Sequence, residues 1–284
     1  MANTRAIRQR IKGVQNTAKI TRAMEMIASS KMRKAQERGL AGRPYSEKIR
    51  QVIADLAAMS RPVSETHPLL RQREVKKIAI VHITPERGLI GGLDANLNRK
   101  TAAFSLQQKA AVSMILVGRR GIDYMRRYGR EIKAEFTKLG DKPSLIDTLP
   151  ISRIIIEEYS AGNVDMVYVA YAKFVNTIRQ TPMMEQILPV IPDKSTGQTM
   201  DYIFEPDSTS VLDRLLPRFV ESEIYHMILE SIASEQSARM VAMRNATDSA
   251  NELTDALTLA YFKARQESIT NELLDIVGGA SAIA

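Results

Sequence analysis

The sequence predicts an α/β chain in which two long terminal helices wind together as a coiled coil and carry an α/β domain between them. Three observations predict this. Residues Arg218 to Val277 run sixty positions without Gly or Pro, a helix of roughly 90 Å at about 1.5 Å per residue. Residues Ala2 to Arg38 also read as helix, broken only by Gly13. Between the two, apolar runs of strand length alternate with helical patterns, the signature of a mainly parallel sheet covered on both faces.

The first helix places Ile7, Ile11, Val14, Ala18 and Thr21 at three-four spacing, with Ile20, Met24 and Ile27 continuing the stripe. Gly39, Gly42 and Pro44 are expected to interrupt it, with a restart from Tyr45 to Ser60. Pro62 to Arg73 reads as a linker. The domain between the helices then offers strands at Val75–Thr84, Val112–Val117, Glu131–Phe136 and Val164–Ala172. Helices are expected over Gly91–Gln108, Gly121–Tyr128 and Leu145–Ser160. Thr181–Val190 and Tyr202–Phe204 are weaker strands, placed near a sheet edge by their prolines. The expected division is therefore 1–60 for the first coiled-coil helix, 74–205 for the α/β domain and 208–284 for the second, with Pro217 at the junction.

The seam of the last helix reads Ile224, Ile228 and Ile232, then Ala238, Ala242, Asn245, Ser249, Leu253, Ala256, Ala260 and Ala264. Small residues let two backbones approach, and Asn or Ser in a seam favours one register at some cost in stability. Charge supports the pairing. Residues 1–50 hold thirteen Lys/Arg against three Asp/Glu, a net +10, whereas residues 219–284 hold four against ten, a net −6. Exposed pairs contribute only about 0–1 kcal/mol each, so this asymmetry selects partner and direction more than it stabilises.

Composition narrows the function. The chain has 284 residues, no Cys and a net charge of +8. Disulfides, thiol catalysis and Cys-based metal sites are thereby excluded. No apolar run reaches membrane-spanning length, so direct membrane insertion is not expected. The N-terminus lacks the apolar stretch of a signal peptide. The basic residues Lys31, Arg33, Lys34, Arg38, Arg43, Lys48 and Arg50 could face phosphates, but Tyr45 is the only aromatic among them. A solvated or protein-facing basic helix is the preferred reading, and no nucleic acid is expected as a partner.

Few residues suggest chemistry. Glu86–Leu93 is a Gly-rich turn where a phosphate loop would sit, but it lacks both the P-loop ending and the dinucleotide spacing. A tight strand-to-helix turn is the plainer account. Arg119-Arg120-Gly121 has the same two readings. His67, His82 and His226 show no metal-ligand spacing, and His82 reads as a packed core residue. No catalytic residue, cofactor site or metal site is assigned.

The motifs carry a resemblance. Ile7–Arg10 (IRQR), Val14–Ile20 (VQNTAKI), Thr21–Ile27 (TRAMEMI), Ser30–Lys34 (SKMRK), Glu86–Leu93 (ERGLIGGL), Tyr202–Asp207 (YIFEPD), Ser234–Met243 (SEQSARMVAM), Ala264–Thr270 (ARQESIT) and Glu272–Ala280 (ELLDIVGGA) appear in order along the chain. Together they resemble the gamma-subunit family of the F-type ATP synthases, bacterial type, nearly end to end. The resemblance implies an antiparallel coiled coil of the terminal helices flanking a Rossmann-like α/β domain. It implies a central rotor shaft that couples proton-driven ring rotation to ATP synthesis or hydrolysis in an alpha/beta hexamer, with no catalysis of its own.

Expected partners are the alpha and beta subunits, the epsilon subunit and the membrane c-ring, on the cytoplasmic face of the bacterial cell membrane. By family position, Arg265, Gln266, Thr270, Glu272 and Met24 would face beta-subunit loops. Gln236 and Arg239 would belong to a coupling segment on the last helix, and Tyr202 and Glu205 would lie near the ring. Ile90 stands where the family often carries Cys, and the Cys-containing regulatory insertion of the chloroplast type is missing, so no thiol switch is expected. The alternative is a nucleotide-binding α/β enzyme with a coiled-coil dimerisation arm, which would need the Glu86–Leu93 turn to hold phosphate.

Overall fold

The computed structural model describes residues 2–59, 67–192, 205 and 207–281. The expected strand at Tyr202–Phe204 and the start of the expected linker lie outside them. Two compact units emerge, one made of Met1–Ala28 with Arg239–Ala284 and one of Ser29–Ala238. Two helices run through both: α1 (Ala2–Met59) and α5 (Ser208–Ser281).

The larger unit is built on a five-stranded sheet of β1 (Lys77–Ile83), β2 (Ala111–Val117), β3 (Glu131–Phe136), β4 (Met166–Phe174) and β5 (Gln180–Leu188). The order is β3-β2-β1-β4-β5. The first four strands are parallel, and β5 returns antiparallel to β4 at the edge. Three helices connect them: α2 (Leu93–Gln107), α3 (Arg119–Met125) and α4 (Leu145–Ser160).

Strand alternation sorts the core into two layers. Ile78, Ile80, Met114 and Leu116 point to the face covered by Leu97 of α2 and by Ile122 and Met125 of α3. Ala79, Val81, Ile83, Ile115 and Val117 point to the other face. There they pack with Ile151, Ile155 and Tyr159 of α4, with Ile49, Ile53 and Leu56 of α1, and with Leu212, Leu216, Val220, Ile224 and Ile228 of α5. Burying each such aliphatic side chain is worth about 1.5–3 kcal/mol.

That packing corrects one expectation. Gly39, Gly42 and Pro44 do not break α1, which is a single helix with Pro44 inside it. Proline costs a helix interior roughly 3 kcal/mol. Ala35 upstream and Ile49, Ile53 and Leu56 downstream belong to the same core cluster, and their combined burial exceeds the penalty. Gly42 has its own reason: a Cβ there would overlap the His226 imidazole on α5. Likewise α5 begins at Ser208 and carries Pro217 within it rather than at its start.

His82 is fully buried on β1, as expected of a core residue. Its Nε2 lies 2.7 Å from Asn98 Oδ1, and its Nδ1 lies 3.2 Å from Thr101 Oγ1. Burial pushes its pKa down to about 4, so the imidazole is neutral at pH 7. The unfolded chain, with an ordinary histidine, binds the proton more readily. Stability is therefore complete above about pH 6.5 and falls as the pH drops towards 4, by about 3 kcal/mol from this residue at one pKa unit per 1.36 kcal/mol. Denaturation curves from pH 7 to pH 4 should show this slope, and His82→Gln should flatten it.

Candidate functional site

In the smaller unit, the less exposed positions recur mainly at three-four spacing. On α1 the less exposed positions are Thr4, Ile7, Ile11, Val14, Ala18, Thr21, Met24, Glu25 and Ala28. The first stretch matches the expected stripe. Of its continuation Met24 is half-buried, but Ile20 is 61% and Ile27 54% exposed and lie off the stripe. On α5 one such row is Met240, Met243, Thr247, Ala250, Thr254, Leu257, Tyr261, Ala264 and Ser268, with Arg239, Val241, Ala242, Ala246 and Thr258 half-buried beside it. Of the expected seam, Ile224, Ile228, Ile232 and Ala238 are buried and Ala242 and Ala264 half-buried, whereas Asn245, Ser249, Leu253, Ala256 and Ala260 are exposed, so from Asn245 to Ala260 it lies on the wrong face.

Polar contacts show why the register falls here. Thr21 Oγ1 lies 2.7 Å from Thr247 Oγ1, and both residues are buried. One turn along, Arg244 Nε donates to Glu25 Oε1 at 2.9 Å while Arg22 Nη1 donates to Glu25 Oε2 at 3.0 Å. Glu25 is buried between two guanidinium groups. A buried carboxylate without a partner is strongly disfavoured, so sliding either helix would strand it. Glu25 and Arg244 do not stand out from the residue pattern as a contact pair. Yet a signal is there: an acid at the seam spacing set by Ile11, Val14, Ala18 and Thr21.

The expected contact residues divide by burial. Arg265, Gln266, Thr270 and Glu272 are exposed on α5, and Thr270 Oγ1 donates to the Gln266 carbonyl at 2.9 Å. Ser268 Oγ lies 3.4 Å from Glu272 Oε1. Met24 and Arg239 are half-buried. Glu205 is exposed at a bend, and Tyr202 lies outside the described residues. Gln236 is only 1% exposed, and its Nε2 has no hydrogen-bond partner among the described residues. Around Arg265–Glu272, α5 also exposes Leu259, Phe262, Leu273, Leu274, Ile276 and Val277, with Leu259 at 73% and Ile276 at 68%. Contiguous apolar surface of this kind marks a contact site.

The alternative site is occupied by the chain itself. In an open α/β sheet, ligands bind at the carboxyl ends of the strands where the strand order reverses. That point lies between β1 and β4, and it is filled. Ile90 and Leu93 from the Gly-rich turn pack there with Ala172 of β4 and Ala238 of α5. The first turn of α2, which could otherwise receive a phosphate, holds the buried carboxylate of Asp94. It accepts from its neighbour's backbone, Ala95 N, at 2.8 Å and from Arg120 Nε at 2.7 Å. Past β2, Thr84 Oγ1 bonds the carbonyls of Val117 and Gly118 and accepts from Gly121 N at 2.8 Å. The first turn of α2 thus carries a carboxylate of its own, and the loop past β2 gives its Gly121 N–H to Thr84.

Comparison with known proteins gives the family and the fold. The family model described as ATP synthase matches residues 3–283. An ATP synthase gamma chain from Dehalococcoides mccartyi is 64% identical over 285 residues, covering all of both chains. One from Herpetosiphon aurantiacus is 47% identical over 293 residues, covering 100% of this chain and 99% of that one. Among solved structures, a rotor chain of the Euglena gracilis mitochondrial ATP synthase superposes with a TM-score of 0.67 at 19% identity, over 94% of this chain and 99% of that one. A chain from the OSCP/F1/c-ring portion of the same enzyme reaches 0.69 at 18% identity, over 99% and 95%. The overall fold is thus shared, and at these sequence identities the chain belongs to the ATP synthase gamma-chain family.

Proposed function

We propose that this chain is the central rotor shaft of an F-type ATP synthase and has no active site of its own. Its parts are a helix over 1–60, an α/β domain over 74–205 and a helix over 208–284, the helices paired as an antiparallel coiled coil. The alternation of burial on α1 and α5 supports the pairing, as do the contacts Thr21–Thr247 and Glu25–Arg244, whose numbers run in opposite directions. Among the described residues no helix is long and apolar enough to cross a membrane. Association with the bacterial cell membrane is therefore peripheral, on its cytoplasmic face, through the c-ring.

The observation that carries this reading is the apolar collar on α5 around Arg265–Glu272. A shaft turning inside an alpha/beta hexamer needs a surface that partners cover without gripping. Arg265, Gln266, Thr270 and Glu272 supply the polar contacts to beta subunits there, and Met24 supplies one from α1. Arg239 contributes from its coupling segment. Gln236, inside the larger unit, acts indirectly by ordering that segment. Tyr202 and Glu205 lie towards the ring and the epsilon subunit. An asymmetric shaft presents each catalytic subunit with a different face in turn, and so shifts its conformational equilibrium by differential contact.

Mixing experiments test this. The purified chain alone should hydrolyse no ATP, and it should co-purify with an alpha/beta hexamer that becomes active with it. Turnover by the isolated chain, abolished by Gly91→Val, would favour the nucleotide-binding enzyme instead.

A further inference from the structure

Serine and threonine hydroxyls inside a helix usually bond back to the carbonyl one turn earlier. Along α5, Thr247, Thr254, Thr258 and Thr270 do so. Ser234 and Ser237 instead reach out of the helix. Ser234 Oγ donates to the Ala172 carbonyl at 2.8 Å, and Ser237 Oγ donates to the Thr177 carbonyl at 2.8 Å. Both serines are fully buried.

We propose that Ser234 and Ser237 are positioning residues: they clamp α5 into the crevice at the ends of β1 and β4 and pass twist between the α/β domain and the shaft. The inference rests on the rotor reading above. Pairing between β1 and β4 ends at His82 with Ala170, so Ala172 lies past the ladder, and Ser234 takes its carbonyl. The turn that follows is stiffened by Asn176, whose Oδ1 accepts from Ile178 N at 3.0 Å and Arg179 N at 2.7 Å. Gln180 Nε2 binds the Asn176 and Thr177 carbonyls and also reaches Ser237 Oγ at 3.3 Å.

The third element of the clamp is Ala238, against Ile90 and Leu93. Residues 234, 237 and 238 share one face of the helix, and their small size lets the strand ends and the hairpin come close. Rotation of α5 about its own axis would break both hydroxyl bonds together and expose Ile90. The Ser234 bond to Ala172 is buried away from water, so it resists rotation more than a surface contact would, and the part-buried Ser237 bond adds to it. The sheet has taken a segment of its own chain into the crevice where related architectures hold a ligand.

The test uses the assembled complex. Lys109 is exposed, and because the chain has no cysteine, Lys109→Cys can carry a bead. With the hexamer stalled by nucleotide, adding Ser234→Ala and Ser237→Ala should widen the bead's angular variance by about twofold or more as one buried and one part-buried hydrogen bond are lost. Proton-driven ATP synthesis should fall several-fold. Hydrolysis by the complex detached from the membrane, where no load passes through the α/β domain, should stay near the control. Gln180→Ala, at a half-exposed position, should soften the rotor in the same direction but less, and it carries the test if the double variant does not assemble. Variance and synthesis equal to the control, or hydrolysis falling in step with synthesis, would overturn the clamp. A bead that does not turn under ATP in the Lys109→Cys control overturns the rotor reading and the clamp's mechanical role with it.

Discussion

Gly118→Ala should be among the most damaging single-methyl additions in the larger unit. Gly118 follows β2 at φ 90°, a backbone conformation that side chains with a Cβ rarely adopt. A Cβ there would also run into the main-chain carbonyl of Thr84, which cannot rotate away. The same residue is tied at both ends: its N–H donates to the Phe136 carbonyl at 2.8 Å, and its carbonyl accepts from Thr84 Oγ1 at 3.1 Å. Backbone strain and overpacking together should cost about 3 kcal/mol or more. Gly129 is the control, with φ 61° but no neighbouring atom within 4 Å of where a methyl group would stand. Gly129→Ala should cost only about 1 kcal/mol, the conformational part alone. Denaturant midpoints of the two variants measure the difference, and equal midpoints would mean that the crowding at Thr84 is relieved cheaply.

The second large effect is expected from Arg244→Glu. Glu25 is 7% exposed at its side chain and lies between Arg22 and Arg244. Reversing Arg244 sets two carboxylates together in the seam of the smaller unit. Breaking a buried pair typically costs 3–5 kcal/mol, but Arg244 is itself 58% exposed, which places the expectation nearer about 2–3 kcal/mol after screening. Coupled ATP synthesis should fall with the loss of helix pairing. Glu25→Arg in the same chain restores opposite charges at the contact and should recover much of the loss. A double variant as impaired as the single one would show that the pair contributes no more than two separate surface charges.

Much of this architecture was legible in the sequence, and where it was not the reasons are physical. The sheet announced itself because VKKIAIVHIT, VSMILV and VDMVYVAYA are apolar on both faces, which only a doubly covered strand needs. The α1 stripe was legible from Ile7 to Ala18 because the large apolar residues there, Ile7, Ile11 and Val14, lie on one face only. It was lost from Ile20 onward, because Ile20, Met26 and Ile27 are exposed while the seam passes through Thr21 to Glu25 and Ala28. On α5 the alanines repeat on more than one face, so their spacing alone could not choose between two registers. The choice was made by Thr21–Thr247 and Glu25–Arg244, contacts between residues more than two hundred positions apart.

Gly39, Gly42 and Pro44 looked like a break because local propensity argues for one; the core on either side overrode it. Ser234 and Ser237 fall in the SEQSARMVAM motif but showed no contact by themselves, since a serine inside a helix reads as solvated until the hairpin that receives its hydroxyl is placed beside it. The exposed residues Arg265, Gln266, Thr270 and Glu272 could be named only by resemblance. Nothing in an isolated chain distinguishes a polar side chain awaiting a partner from one facing water.

A density map of the purified ATP synthase would decide the matter most directly. The account predicts that Ala2–Met59 and Ser208–Ser281 lie along the central axis of the hexamer, with Ile11 facing Leu257 and the apolar collar on α5 enclosed by the catalytic subunits. A map that places this chain at the periphery, or that shows Ile11 and Leu257 on separate bodies, would contradict it.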